Sequence, residues 1–314
     1  MISMIDAFVL DGKKASKTST LKTSKRIWAD VTDPSKADLE ALARSFPIHT
    51  LTLEDVSKTG NRVKLEQFPE YVFVITYGIE SGKKGPLGFQ MNFILGKGFL
   101  LTVHKEKIPS FDSLKSDMKR LHTILSKGPD MLMHHLMDAE TDFYFPVLDE
   151  IEDQIDELEE EVYRNIDHKV LGRLFRLKRE LLGIRKRTAP QREVVLMLSQ
   201  KSFPFVSDSA SAYYRDIYDH IIRINESIDD YREILSNTLE VHLSLVSNRM
   251  NEVMKALTIV ATIMLPLTVL TGIYGMNLNI PESHFDDMYY IVLFIMLIIA
   301  VLMMLYFRRK RWIG

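Results

Sequence analysis

The spacing of apolar residues changes character twice along this chain. Up to about Thr102 they fall in short runs, "AFVLDG", "RIWADV", "EYVFVITYGIE" and "FLLTVHKE", rich in β-branched and aromatic residues and bordered by turn formers. Such runs predict strands. Between them, "DPSKADLEALARSF" opens on a helix start signal and sets Leu39, Leu42 and Phe46 at helical spacing. "SGKKGPLG" reads as the loop of a hairpin.

From about Ser110 the period is helical. An acidic stretch, "MDAETDFYFPVLDEIEDQIDELEEEVYRNI", precedes a basic one, "HKVLGRLFRLKRELLGIRKR". One reading is an antiparallel helix pair with complementary faces; the other is a divalent-cation sink over Asp149 to Glu161. Exposed ion pairs of this kind are each worth under about 1 kcal/mol. Between Pro204 and Pro266 there is neither proline nor glycine. Within that stretch Ile217, Ile221, Ile224, Ile228, Tyr231 and Leu235 alternate spacings of four and three, a heptad seam that fits a partner helix. No break signal follows, which predicts one helix from Ala210 to Ile273, roughly 95 Å long at about 1.5 Å per residue.

The third pattern is continuous. "ALTIVATIMLPLTVLTGIY" (Ala256 to Tyr274) and "MYYIVLFIMLIIAVLMMLYF" (Met288 to Phe307) carry no charge. Each is about 20 residues, the length that crosses a hydrocarbon core of roughly 30 Å. Tyr274, Tyr289 and Tyr290 stand at span ends, where amphipathic rings favour the interface. "RRKRW" follows the second span, and Arg249 and Lys255 precede the first, whereas the link between the spans holds Glu282, Asp286 and Asp287 with no Lys or Arg. Basic flanks stay inside, so both termini are expected in the cytoplasm and the acidic link outside a cell (inner) membrane, with lipids as partners.

These patterns imply an α+β membrane protein. They divide it into a cytoplasmic α/β domain over 1–105 and a cytoplasmic helical hairpin region over 106–208. A stalk and pore helix covers 209–274, with the first transmembrane span at about 255–274. An external loop over 275–287, a second transmembrane helix over 288–307 and a basic tail over 308–314 complete it. The 314 residues include no cysteine, which removes disulfides, thiolate metal sites and thiol nucleophiles. A formal net charge of -2 argues against a general nucleic-acid binder. The start, "MISMIDAFVLDGKK", lacks the basic and apolar blocks of a signal peptide. No Ser-His-Asp order, phosphate loop or HExxH-type motif points to an enzyme, and His134–His135 reads as structural. No organic cofactor is expected.

On the first span, Asn251, Met254, Leu257, Ala261, Leu265, Thr268 and Gly272 share one arc of roughly 120° at about 100° per residue. The arc lacks charge and aromatic bulk. Small residues there allow close helix packing, or the face lines water. Two helices cannot enclose a pore, so a water-lining face requires several copies round an axis. Pro266 leaves the Thr262 carbonyl without its intrahelical donor. Such a pore would have polar ends and an apolar middle at Met254, Leu257 and Leu265, which can gate by dewetting.

"NEVMKALTIVATIMLPLTVLTGIYGMN", Asn251 to Asn277, resembles the first membrane helix and Gly-Met-Asn signature of the CorA magnesium channel family. "PIHTLTLEDV", "KLEQFPEYVFVITY" and "YRDIYDH" resemble it too, and the likeness covers most of the chain. The resemblance implies Mg²⁺ influx, with Co²⁺ and Ni²⁺ as further cargo, through a homopentamer with a funnel-shaped cytoplasmic part. It implies a selectivity filter of Gly275, Met276 and Asn277, whose neutral oxygens hold the hydrated ion through its water shell. It implies that cytosolic Mg²⁺ bound between subunits favours the closed state, with Asp216 as a sensor carboxylate. Relatives carry an acid after the equivalent of Thr76–Tyr77; here Gly78 follows, leaving Glu80 nearest, with Asp219 and Asp138 as further candidates. Glu282, Asp286 and Asp287 would concentrate cations at the mouth, or simply solvate the loop. The link departs from the family's usual Met-Pro-Glu-Leu, reading "LNIPESHF". A zinc or other divalent-cation transporter of the same superfamily and a membrane-tethered interaction protein are the competing functions.

Overall fold

The computed structural model describes residues 5–11, 14–18, 20–21, 26–82, 85–164, 168–276 and 287–312. Two compact units divide the chain, Met1–Thr238 and Leu239–Gly314. The α/β residues and the helices that follow them as far as Thr238 therefore belong to one unit.

That unit is built on a seven-stranded sheet of order β2-β1-β3-β7-β6-β5-β4. The strands are β1 (Ile5–Asp11), β2 (Lys14–Thr18), β3 (Ile27–Thr32), β4 (Lys64–Gln67), β5 (Tyr71–Gly82), β6 (Gly85–Gly96) and β7 (Phe99–His104). β3 and β7 run parallel and every other neighbouring pair antiparallel. Side chains alternate across the sheet with period two. On one face Tyr71, Phe73 and Ile75 of β5 pack with Ile27, Ala29 and Val31 of β3. The helices α1 (Lys36–Ser45) and α2 (Thr50–Ser57) cover that face through Leu42 and Val56. Ser35 and Asp38 close a capping box at the start of α1, with Asp38 N–H donating to Ser35 Oγ at 3.2 Å and Ser35 N–H to Asp38 Oδ2 at 3.0 Å.

On the other face Val72, Val74, Phe93 and Trp28 meet α3 (Pro109–Ser116), α4 (Met118–Leu125) and α5 (Pro129–Asp142), together with parts of α7 (His168–Leu198) and α8 (Asp208–Tyr274). β2, β4, β6 and α2 were not expected from the pattern. β6 is the instructive one. Its sequence "GPLGFQMNFILG" holds three glycines of weak strand propensity, yet it pairs with β5 along its whole length and with β7 from Met91 to Gly96. The expected loop over 81–88 is mostly ladder, since the β5–β6 register runs to Gly82↔Gly85.

α6 (Tyr144–Arg164) and α7 form the expected pair. Near the close of α6, Glu157 and Glu161 meet Arg173 of α7, at 3.2 and 2.6 Å. Other acids of α6 are engaged as well: Tyr231 donates to Glu152 at 2.6 Å and Thr238 to Glu159 at 2.9 Å. This favours paired faces over a cation sink.

The heptad seam finds its partner helices within the chain. Ile217, Ile221, Ile224, Ile228 and Leu235 are buried within the chain itself, flanked by Thr188–Asn225 at 2.8 Å and Arg185–Asp229 at 2.8 Å. The seam meets this chain's own helices, so it does not argue for several copies. The second unit holds the remainder of α8 and α9 (Met288–Arg309), and both helices are long and apolar enough to cross a membrane.

Candidate functional site

α8 continues unbroken through Pro266 to Tyr274, within two residues at each end of the span the sequence predicts. Every residue of the arc from Asn251 to Gly272 is exposed. Met254, Leu257 and Leu265 are 55%, 61% and 68% accessible. Of the covered positions, Ile259, Ile263, Pro266, Leu267 and Leu270 lie on the opposite side of the helix at about 100° per residue, and Thr262 lies beside the arc's edge. Within one chain the arc is free, as are the off-arc residues Val253 and Val260.

The threonines of this stretch turn their hydrogens inward. Thr268 Oγ1 donates to the Met264 carbonyl at 2.8 Å, as Thr258 and Thr262 do to carbonyls one turn back at 2.7 Å. A hydroxyl spent as donor leaves lone pairs facing outward, the polarity that accepts hydrogen bonds from water round a cation. α8 ends with Gly275 N–H on Thr271 O at 2.8 Å and Met276 N–H on Ile273 O at 3.3 Å. The carbonyl end of a helix carries partial negative charge. A Cβ on Gly275 would fall 2.9 Å from the Thr271 carbonyl, so glycine keeps that approach open. Asn277, Glu282 and Asp286 lie outside the described residues; Asp287 is the N-cap of α9.

The second cluster belongs to the first unit. Asp138, Asp142 and His220 bring one ligand atom each within 4.8 Å of one another. His220 Nδ1 stands 3.3 Å from Asp142, and its Nε2 3.9 Å from Asp216, one turn earlier on α8. Asp138 Oδ1 and His220 Nδ1 are buried without a hydrogen-bond partner. Burial raises the Asp138 pKa, and the charges of Asp142 and Asp216 add to it while His220 opposes. Carboxylates crowded in this way are relieved by a cation. Of the sensor candidates, Asp216 and Asp138 therefore come together. Asp219 and Glu80 are exposed and outside the cluster. Asp142 and His220 were missed, although the i,i+4 pairs Asp138/Asp142 and Asp216/His220 stand in the sequence.

The model of the family described as CorA-like Mg2+ transporter protein matches residues 24–309. The chain belongs to that family. The Cobalt/magnesium transport protein CorA of Thermotoga maritima is 37% identical over 291 residues, covering 91% of this chain and 83% of that one. Its namesake in Methanocaldococcus jannaschii is 26% identical over 290 residues, 91% of each. The complete structure of the CorA magnesium transporter from the latter organism shares the fold, with a TM-score of 0.87 at 24% identity over 100% of both chains.

Within this CorA-family fold the glycine at position 78 has a local cause. A Cβ there would sit 2.4 Å from the Phe89 ring and 2.7 Å from Glu140 Oε2. Glu140 is 2% exposed, accepts from the Ser110 hydroxyl, and has its pKa pushed up to about 7 by burial. The chain thus sets a buried carboxyl of α5 against Gly78 of β5. His134 packs edge-on to Tyr213 and Tyr214, with centroids at 5.4 and 5.5 Å, and burial lowers its pKa to about 4.

Proposed function

We propose that this chain assembles with copies of itself into a membrane channel that admits Mg²⁺, and Co²⁺ by the same route. The copy number expected from the family resemblance is five, with both termini in the cytoplasm. The observation that carries this reading is the free arc of α8, uncharged from Asn251 to Gly272 and opposite the covered stripe. Copies ranged round an axis would turn that arc inward. Neutral acceptors suit Mg²⁺, which sheds its water reluctantly and must leave again. Thr268, the carbonyls closing α8 and the Asn277 amide would hold its hydration shell, while Met254, Leu257 and Leu265 would form a drying constriction.

The Asp138–Asp142–His220 cluster, with Asp216 beside it, is the regulatory cation site in this reading. Its support is the Asp138 oxygen buried without a hydrogen bond, beside the His220–Asp142 pair. Two carboxylates and an imidazole suit Co²⁺ as well as Mg²⁺. A bound ion shifts gating only through different affinity for the open and closed states.

The deciding experiment is divalent-cation flux into liposomes carrying the purified chain. Mg²⁺ and Co²⁺ enter with the wild type, and Asn277→Ala, assembled normally, loses most of the flux. Wild-type flux through well-assembled Asn277→Ala would remove the filter assignment. No flux in any condition would remove the channel.

A further inference from the structure

A cavity of about 860 Å³ opens in the first unit, and its lining includes none of Asp138, Asp142 and His220. Its walls are the α2–β4 connection, the exit of β7, one side of β5 and β6, and the middle of α7. Its floor is built from buried polar groups. Tyr77 Oη donates to the Asn61 carbonyl at 2.7 Å, Asn61 N–H to Gln90 Oε1 at 3.0 Å, and Gln90 Nε2 to Asn92 Oδ1 at 2.8 Å. Gln90 and Asn92 are 6% and 3% exposed, so the loop over 58–61 is fixed to the sheet.

The charges on the walls are one-sided. Arg62, Lys105, Lys186 and Arg187 line the cavity, and none has a carboxylate within 4.0 Å among the described residues. Lys58, the fifth cation, is taken up by Glu54 at 2.6 Å. Asp33 and Glu106 are the acids present, leaving free cations in excess. Arg187 is held in place: its guanidinium lies 5.7 Å from the Tyr77 ring centroid. A Cβ on Gly88 would come within 2.8 Å of the same side chain, so a glycine makes the room. A solvated cationic face needs no such seat. Like charges converging in a concave, low-dielectric wall raise the local potential for an anion, and a guanidinium with its edge free binds phosphate bidentately.

We propose that this cavity binds a polyphosphate anion of nucleotide size, a nucleoside triphosphate being the class that matches both its charge and its volume. Ligand pockets of this kind run to roughly 300–1,000 Å³. The proposal is independent of transport.

The test is equilibrium binding of labelled ATP to the full-length chain in detergent, with EDTA present so that neither cation cluster contributes. Tripolyphosphate and adenosine serve as competitors. Saturable binding is expected, displaced by tripolyphosphate and untouched by adenosine. The double change Lys186→Gln and Arg187→Gln should weaken it about tenfold or more, as loss of charged hydrogen bonds implies. Gly183→Phe should block it without altering charge, because Gly183 lines the cavity and a Cβ there meets nothing within 4 Å. Tripolyphosphate binding as tightly as ATP would make the phosphate chain the part recognised; ATP binding much more tightly would add the nucleoside. No saturable binding, displacement by adenosine, or unchanged affinity in every folded variant would overturn the proposal.

Discussion

The two units use the same apolar residue types to opposite ends. In the first, Trp28, Phe73, Phe93 and Leu100 are wholly inaccessible. In the second, Leu265, Leu297 and Leu302 stand 60% or more exposed. One helix shows both regimes: Ile217 and Ile228 of α8 are at 0% exposure, and Val253 and Leu257 of the same helix at 58% and 61%. An exposed apolar surface of this extent does not persist in water. In lipid it costs nothing, and the backbone of a continuous helix satisfies itself there. Burial is therefore the stabilising term in the first unit only. In the second, side chains are free to be chosen for what they present, which is why an uncharged arc can be kept there.

The sharpest way to break this comparison is to delete matched bulk in each regime. Phe73→Ala should cost about 3–5 kcal/mol in the first unit, the range for a large core side chain that leaves a cavity. Leu302→Ala should leave that unit unchanged. Urea unfolding followed by Trp28 emission, with Trp312→Phe to silence the second unit, reads both. An equal effect of the two changes would mean that the division between the units is misplaced.

Glu140 gives a pH-dependent version. Its folded pKa, raised to about 7 by burial, exceeds the ordinary 4.5. The folded state then holds more protons than the unfolded state between those values, so stability falls as pH rises through the window. Glu140→Gln keeps the shape and removes the titration. Below about pH 4.5 the two proteins should be equally stable, and above about pH 7 the wild type should lag by up to about 3 kcal/mol. Parallel stability curves between pH 5 and 8 would show that the carboxyl is better solvated than its surroundings suggest.

The free arc is tested at Leu257, in its apolar middle. Leu257→Gly should raise Mg²⁺ flux several-fold under closing conditions, because a wider and wetter constriction lowers the dewetting barrier. Val260→Gly, equally exposed at 59% but off the arc, should not. Flux that rises alike in both would turn the arc from a pore lining into ordinary helix surface.

What was legible in the sequence was local. The long helix, the two spans and the acidic–basic pair each announce themselves in consecutive residues, and the α8 bounds of Ala210 and Ile273 fall close to Asp208 and Tyr274. What was not legible depends on distant pairing. β4 is four residues long, and β6 is recognised as a strand only once β5 and β7 flank it. The seam from Ile217 to Leu235 states that a helix packs there, not which one. At the candidate site the arc follows from helical geometry alone, whereas His220 joins the Asp138/Asp142 pair of α5 only after α8 packs near it. Gly78 reads as a missing ligand in the sequence and as a seat for Glu140 in the fold.

The smallest effect expected is at the α6–α7 junction, and it tests whether charge or burial holds that pair. Arg173 reaches both Glu157 and Glu161, yet its side chain is 32% exposed and Glu157 is 72% exposed. Beneath them Leu158, Val162, Val170 and Leu174 are buried at 1% or less. Exposed ion pairs are screened by salt and repay little beyond the entropy of fixing two long side chains. Arg173→Gln should therefore cost under about 1 kcal/mol, shrinking further at high salt, whereas Leu174→Ala should cost about 2–5 kcal/mol and keep that cost. The measurement is the urea midpoint of each variant at low and high salt. If Arg173→Gln proved the more damaging of the two, the complementary charges would be the true fastening of the hairpin and the apolar stripe its accompaniment.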